Sequence, residues 1–268
     1  MQIKIGLIKQ IIEISKEAGK AILEVYNSNF DYQLKEDLSP LTKADTLSHN
    51  IICQRLKILT PDIPILSEEN SDIPFNIKSL WKQYWLVDPL DGTKEFIKRN
   101  GEFTVNIALI NNNEPVFGVI YIPIDNRLFW GSKIHGAYEI KNGKNQIKIH
   151  ASTKNIKKIA VSRSHGNKEI NNLLEKLDTY TIVNIGSSLK FCLIANGEIN
   201  IYPRLGPTSQ WDTAAGEAIL KSAGGSVIDL ELRNIVYNKE NLLNPNFIAT
   251  NDLDTAKEIL GLINYEKK

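Results

Sequence analysis

From Trp85 to Thr93 the chain reads Trp-Leu-Val-Asp-Pro-Leu-Asp-Gly-Thr. Trp85, Leu86 and Val87 have the character of the end of a buried strand, and two carboxylates then follow three positions apart. Pro89 fixes φ between them, and Gly92 supplies backbone that can turn sharply or admit a ligand closely. Carboxylates held by a stiff turn at a strand end suit a hard cation such as Mg²⁺, which takes oxygen ligands in strict octahedral geometry. Thr93 stands where a short helix can begin, so its hydroxyl and the nearby N–H groups face an anion. This stretch therefore predicts a metal-dependent phosphate site. Taken alone, an acidic turn with an Asx-type cap accounts for it as well.

The rest of the chain narrows the choice. Its 268 residues suffice for one large domain or two smaller ones sharing a cleft. A net charge of +1 argues against a dedicated nucleic-acid binder, which carries a strong basic excess or stripe. Cys53 and Cys192 are the only cysteines, too few for a disulfide framework, so a reducing compartment is expected. Lys4, Lys9 and Glu13 interrupt the N-terminal apolar residues, unlike a signal peptide, and no run reaches the roughly 18 apolar residues of a membrane span. The expectation is a soluble cytoplasmic protein.

Residues 3–26 repeat apolar side chains at three- and four-residue steps, which predicts an amphipathic, core-facing helix ending near Tyr26. Ser39–Asp45 reads as a turn into a second helix over about 45–59, with Asp45 favoured near its N-terminus by capping and dipole. His49 and Cys53 on that helix have metal-ligand spacing but no further Cys or His nearby, so they read as packing residues. A short strand from Ile63 runs into Glu68 and Glu69, which repel each other unless a cation sits there or one faces solvent. Beyond the central strand at 84–87, segments at 103–110, 116–122 and 127–130 predict a mostly antiparallel meander, with hairpin turns at Asn111–Asn113 and Asn142-Gly143. Near residue 151 strands and helices begin to alternate. The expectation is two halves, 1–150 an α+β unit and 151–268 an α/β unit. In the second, Asp212 precedes an Ala-rich helix and reads as its N-cap, the alternative being a carboxylate at a helix N-terminus that also reaches a metal in a cleft between the halves.

Four acidic features stand in order: Thr-x-x-Asp at 42–45, Ser-Glu-Glu at 67–69, Asp-Pro-Leu-Asp-Gly-Thr at 88–93 and Trp-Asp-x-Ala-Ala-Gly at 211–216. Together they resemble the inositol monophosphatase superfamily of Mg²⁺-dependent, lithium-sensitive phosphatases. With Gly-Ser-Ser-Leu-Lys-Phe-Cys at 186–192 the chain looks closer still to the 3′(2′),5′-bisphosphate nucleotidase branch, over about residues 5–250. The resemblance implies a layered α-β-α-β-α sandwich of the inositol monophosphatase and fructose-1,6-bisphosphatase type, with the site between the halves. It implies that Glu68, Asp88 and the carbonyl of Leu90 hold a first Mg²⁺. Asp88 would bridge to a second held by Asp91 and Asp212, a third ion being left open. Thr93 and Asp45 would orient and activate the attacking water, with Glu68 beside them as a catalytic acidic group, and the N–H groups of Gly92 and Thr93 would hold the phosphate. His165, Ser187, Lys190 and Arg204 match positions that line the nucleoside and second-phosphate pocket, along which the metal-site residues Glu68, Leu90, Asp91 and Asp212 also contact substrate.

The activity so implied is removal of the 3′-phosphate of adenosine 3′,5′-bisphosphate, giving AMP and phosphate, with 3′-phosphoadenylyl sulfate a further substrate, in sulfur metabolism. For Lys190 and Arg204 the physics agrees, because a bisphosphate needs a cation away from the metals; a solvated lysine and a surface ion pair are the plainer accounts. A capping or loop histidine is the plainer account of His165. One rival is the same chemistry on inositol phosphate or another sugar phosphate. A rival of another class is an RNA- or transcription-complex-binding protein on the same fold, against which the near-neutral charge counts. The expected partner is thus a small nucleotide, with no nucleic acid and no integral membrane contact. Monomer or homodimer, and peripheral contact with the inner face of the cell membrane, stay open.

Overall fold

A computed structural model of the chain describes residues 3–35, 40–151, 157–164 and 166–263. The long first periodicity forms helix α1 (Ile5–Tyr26), which buries Ile8, Ile11, Ile12, Ile14, Ala18, Ile22 and Val25 on one face. A short hairpin, β1 (Tyr32–Leu34) and β2 (Pro40–Thr42), leads into α2 (Lys43–Leu59). Then come β3 (Ile65–Ser67), the single turn α3 (Phe75–Lys78), the central strand β4 (Gln83–Asp91) and the short α4 (Thr93–Ile97). The expected meander follows as β5 (Thr104–Asn111), β6 (Glu114–Ile122), β7 (Arg127–Ser132), β8 (Gly136–Lys141) and β9 (Asn145–Ile149). Strands β3 to β9 lie side by side in chain order, all pairs antiparallel except β3 with β4. Both hairpin turns read from asparagines have the positive φ such turns require, at Asn112, Asn113, Asn142 and Gly143.

The second half adds β10 (Lys158–Ser162), α5 (Lys168–Leu174), β11 (Thr181–Ile185), α6 (Leu189–Ala195), β12 (Ile201–Arg204) and α7 (Gln210–Ser222). Strands β13 (Ser226–Asp229) and β14 (Phe247–Thr250) and helix α8 (Leu253–Leu262) complete it. Its sheet runs β11-β10-β12-β14-β13. Strands β11, β10 and β12 are parallel, as alternating elements predict, but β14 and β13 join antiparallel, so the sheet is mixed.

Three apolar clusters show the layering. Helices α1 and α2 cover one face of the first sheet through Trp85, Val87, Val105 and Ile107. Tyr84, Leu86, Ala108 and Ile110, alternating with those on the same strands, face α6 and α7 and, through them, the inner face of the second sheet. Helices α5 and α8 cover that sheet's outer face with Ile170, Leu173, Ala256 and Ile259. The order is the expected α-β-α-β-α sandwich. Helix α7 lies unusually close to the first sheet because Gly118 and Gly131, paired across β6 and β7, leave a groove. A Cβ on Gly118 would stand 2.3 Å from the carbonyl oxygen of Ala215, and one on Gly131 2.8 Å from Cα of Ile219. The Ala-rich helix is seated by this groove, which brings its N-terminus to the end of β4.

Candidate active site

Strand β4 does not stop at Val87, as its composition suggests, but continues through both carboxylates to Asp91. Against β5, Asp88 pairs with Asn106 and Asp91 with Thr104, so that Pro89 and Leu90 stand opposite Val105 alone. That bulge is the structural purpose of Pro89, which has no N–H to offer a ladder. On a regular strand, residues three apart point to opposite faces; the extra residue turns Asp88 and Asp91 to the same side. Ser48 Oγ holds the bulge by donating to Pro89 O at 2.7 Å, and Leu90 N donates to Asp88 Oδ1 at 3.1 Å. The Asp91 carboxylate accepts from Asn106 Nδ2 at 3.3 Å and from the backbone N–H of Ser188, which ties it to the second half. Gly92 has φ +90° and begins α4, a conformation that disfavours any side chain.

Two helix N-termini deliver the remaining acids by one device. In α2, Thr42 is the N-cap, and Asp45 Oδ2 accepts from its N–H at 2.7 Å and its hydroxyl at 2.6 Å. Asp45 Oδ1 is left to accept from Thr93 Oγ1 at 3.3 Å, the pair that the family resemblance anticipates. In α7 the N-cap is Ser209, not Asp212 as the sequence suggests. Asp212 sits one turn inside and accepts from Ser209 N at 2.9 Å through Oδ2. Both are capping boxes, in which the third helical residue reaches back to the cap.

The cavity between the halves has a volume of about 250 Å³ and is lined by Glu68, Asp88, Leu90, Asp91, Gly92 and Thr93 on one side. Ser187, Lys190, Arg204 and Asp212 line the other. Oxygens of Glu68, Asp88 and Asp212 lie within 4.8 Å of one another. Octahedral Mg²⁺ with bonds of roughly 2.1 Å needs ligands no more than about 4.2 Å apart, so these three carboxylates would need to draw in only slightly to offer it hard oxygen donors. The electrostatics agree. Burial, and then repulsion from Glu68 and Asp91, raises Asp88 well above the usual carboxylate range; burial followed by Asp91 and Glu68 does the same to Asp212. Burial pushes Glu68 up to about 7 and Asp45 up to about 6. Acids crowded this way call for a cation.

One cation is built in. Lys35 Nζ donates to Glu68 Oε1 at 2.9 Å and Glu69 Oε1 at 2.7 Å, answering the repulsion expected of adjacent glutamates. Burial opposes its charge, but the two glutamates outweigh it and hold the ammonium firmly protonated. A lone lysine far from the acids in sequence gives no local signal. His49 and Cys53 pack as expected, His49 Nδ1 sitting 2.8 Å from Ser67 Oγ.

Lys190 and Arg204 are buried, at 3% and 7% exposure, which removes the surface readings of both. Lys190 Nζ donates to the carbonyls of Ile185 at 3.1 Å and Ser187 at 2.6 Å and lies over the Tyr202 ring. Burial lowers it to about 8, with Asp91 opposing the fall. Arg204 is anchored to the carbonyls of Gly206 and Pro207. Ser187 has φ +48°, which turns its carbonyl onto Lys190. His165, and Ser39 of the turn before α2, lie outside the described residues.

The layered sandwich, with an acidic cage at the meeting of its two sheets, defines a class of phosphate-handling hydrolases. The chain belongs to the inositol monophosphatase family, whose model matches residues 6–264. It is 44% identical to the 3′(2′),5′-bisphosphate nucleotidase CysQ of Salmonella typhimurium, over 91% of this chain and 99% of that one. It is likewise 44% identical to CysQ of Escherichia coli K12, over 90% and 98%. The crystal structure of CysQ from Bacteroides thetaiotaomicron, described as a bacterial member of the inositol monophosphatase family, superposes with a TM-score of 0.80 at 40% identity, covering 90% of this chain and 96% of that one. No helix among the described residues is long and apolar enough to cross a membrane.

Proposed function

We infer that the protein is a metal-dependent 3′(2′),5′-bisphosphate nucleotidase that converts adenosine 3′,5′-bisphosphate to AMP and phosphate. The observation that carries this reading is the joining, in one cavity, of an acidic cage and two buried cations on the opposite wall. The relatives named as such nucleotidases support the substrate class. Glu68, Asp88, Asp91, Asp212 and the carbonyl of Leu90 would hold two or three Mg²⁺ ions. Bound Mg²⁺ supplies the positive charge that a phosphate dianion and its leaving oxygen require, and it acidifies water.

The chain's own groups do the rest. The N–H groups of Gly92 and Thr93 hold the scissile phosphate, while Lys190 and Arg204 take the second phosphate. Thr93 Oγ1 accepts a proton from the attacking water as its own passes to Asp45 Oδ1. Asp45, raised toward neutrality by burial, is matched to that task. In this division residues 1–150 bring most metal-binding groups, and 151–268 bring Asp212 and the residues that choose the substrate. His165 belongs with the latter on the family pattern.

The test is phosphate release from adenosine 3′,5′-bisphosphate and from inositol 1-phosphate, each with Mg²⁺ or with EDTA. Hydrolysis of the nucleotide that needs Mg²⁺, with Lys190→Met losing nucleotide but not inositol phosphate turnover, is the expected outcome. Preference for inositol phosphate would move the substrate, and release from neither by folded protein would overturn the reading.

A further inference from the structure

Five carboxylates line the cavity among the described residues; Glu68, Asp88, Asp91 and Asp212 are the proposed metal ligands, and Glu95 has no part in that set. Glu95 lies in the first turn of α4, two positions after Thr93, and is 3% exposed. Its Oε1 accepts from Ser164 Oγ at 2.5 Å, across the cleft from the segment that leaves β10. Its Oε2 lies 3.5 Å from where a Cβ would stand on Gly92, and its Cγ only 2.6 Å from where one would stand on Gly186. Two glycines therefore let this carboxylate lie against the main chain on either side. Gly92 adjoins Asp91 and Gly186 adjoins Ser187 in the same cavity wall, so Glu95 stands between the metal end of the cavity and the end that holds Lys190.

A buried anion beside a phosphate site repels the substrate unless some part of that substrate needs an acceptor. In a nucleoside bisphosphate the part between the two phosphates is the ribose, and its polar group next to the scissile phosphate is a free hydroxyl. An ionised carboxylate only accepts hydrogen bonds, and that hydroxyl can donate. We propose that Glu95 reads the free vicinal hydroxyl of the ribose, the 2′-OH when the 3′-phosphate is removed and the 3′-OH when the 2′-phosphate is removed. Ser164 holds the carboxylate in place through Oε1. The same charge excludes a substrate phosphorylated on both vicinal positions. This deepens the nucleotidase reading and rests on it.

The experiment compares kcat/KM for adenosine 3′,5′-bisphosphate and its 2′-deoxy analogue in the wild-type protein, Glu95→Ala and Glu95→Gln. A site built to bind a hydroxyl discriminates against the analogue that lacks it. The wild type should favour the ribonucleotide by about tenfold to a hundredfold, the range for a hydrogen bond to a charged group. Glu95→Ala should bring the ratio close to one, mainly by slowing the ribonucleotide. Glu95→Gln, which keeps the shape and one acceptor oxygen, should fall between. A wild-type ratio near one overturns the proposal before any variant is made, and so does an equal loss on both substrates in Glu95→Gln, which marks a purely structural role. Absence of wild-type turnover of the ribonucleotide removes the nucleotidase reading itself, and the proposal with it.

Discussion

Asp45 divides its two oxygens between a helix and the site. One closes the capping box of α2, and the other receives the Thr93 hydroxyl. The two roles can be separated at Thr93, which takes no part in the box. Thr93→Val keeps the branched shape but removes the hydroxyl, so the fold and the cap should survive while the proton path to Asp45 is lost. A fall in kcat of roughly 10² to 10⁴, the usual contribution of a positioned base, is expected, with KM and melting temperature little changed. An unchanged kcat would remove Thr93 from the chemistry. The spacing Thr-x-x-Asp shows the cap in the sequence, but not the partner 48 positions away. Lys35, whose two glutamate partners arrive only through the fold, was invisible for the same reason.

At the level of elements, the seat of α7 in the groove of Gly118 and Gly131 sets where Asp212 stands. Gly118→Ala places a methyl group against the α7 backbone, and the helix must move. Overpacking of this kind costs about 1–3 kcal/mol. Activity should fall with stability, since Asp212 rides on the first turn of the displaced helix. Gly6→Ala is the control, because nothing lies within 4 Å of the added methyl and alanine is the better helix former. Thermal unfolding and phosphate release on both variants check this, and a Gly118→Ala protein as stable and active as the parent would refute it. Long periodicities were legible as such: α1 and the β5–β9 meander stand where apolar spacing and asparagine turns put them. Strands β13 and β14 carry no such signal. They are four residues each, lie far apart in sequence, and pair in the order β12-β14-β13, so no turn signal joins them. The bulge in β4 was hidden too, because Pro89 signals a turn when read alone and a register shift only when β5 lies opposite.

Across the whole molecule, one apolar cluster joins Leu86 and Ile120 of the first sheet to Ile194, Tyr202 and Ala249 of the second half, so the acidic cage is clamped between packed layers. In the metal-free protein, Glu68 keeps its proton to about pH 7 and Asp45 to about 6, whereas their ordinary values are 4.5 and 3.8. The folded chain then binds more protons than the unfolded one between those limits, so stability falls as pH rises through this window. With EDTA present, the melting temperature should therefore drop from pH 5 to pH 8. On the proposed function Mg²⁺ would replace the protons and bind only the folded cage, so it should raise the melting temperature at pH 8 by several degrees more than at pH 5. Asp88→Asn separates this account from a general effect of salt. The amide keeps an oxygen to accept from Leu90 N but cannot ionise, which removes one source of repulsion in the cage at any pH. The variant should melt higher than the parent in EDTA at pH 8 and lose most of its response to Mg²⁺. A response to Mg²⁺ equal at both pH values, or unchanged in Asp88→Asn, would show that the cation acts elsewhere.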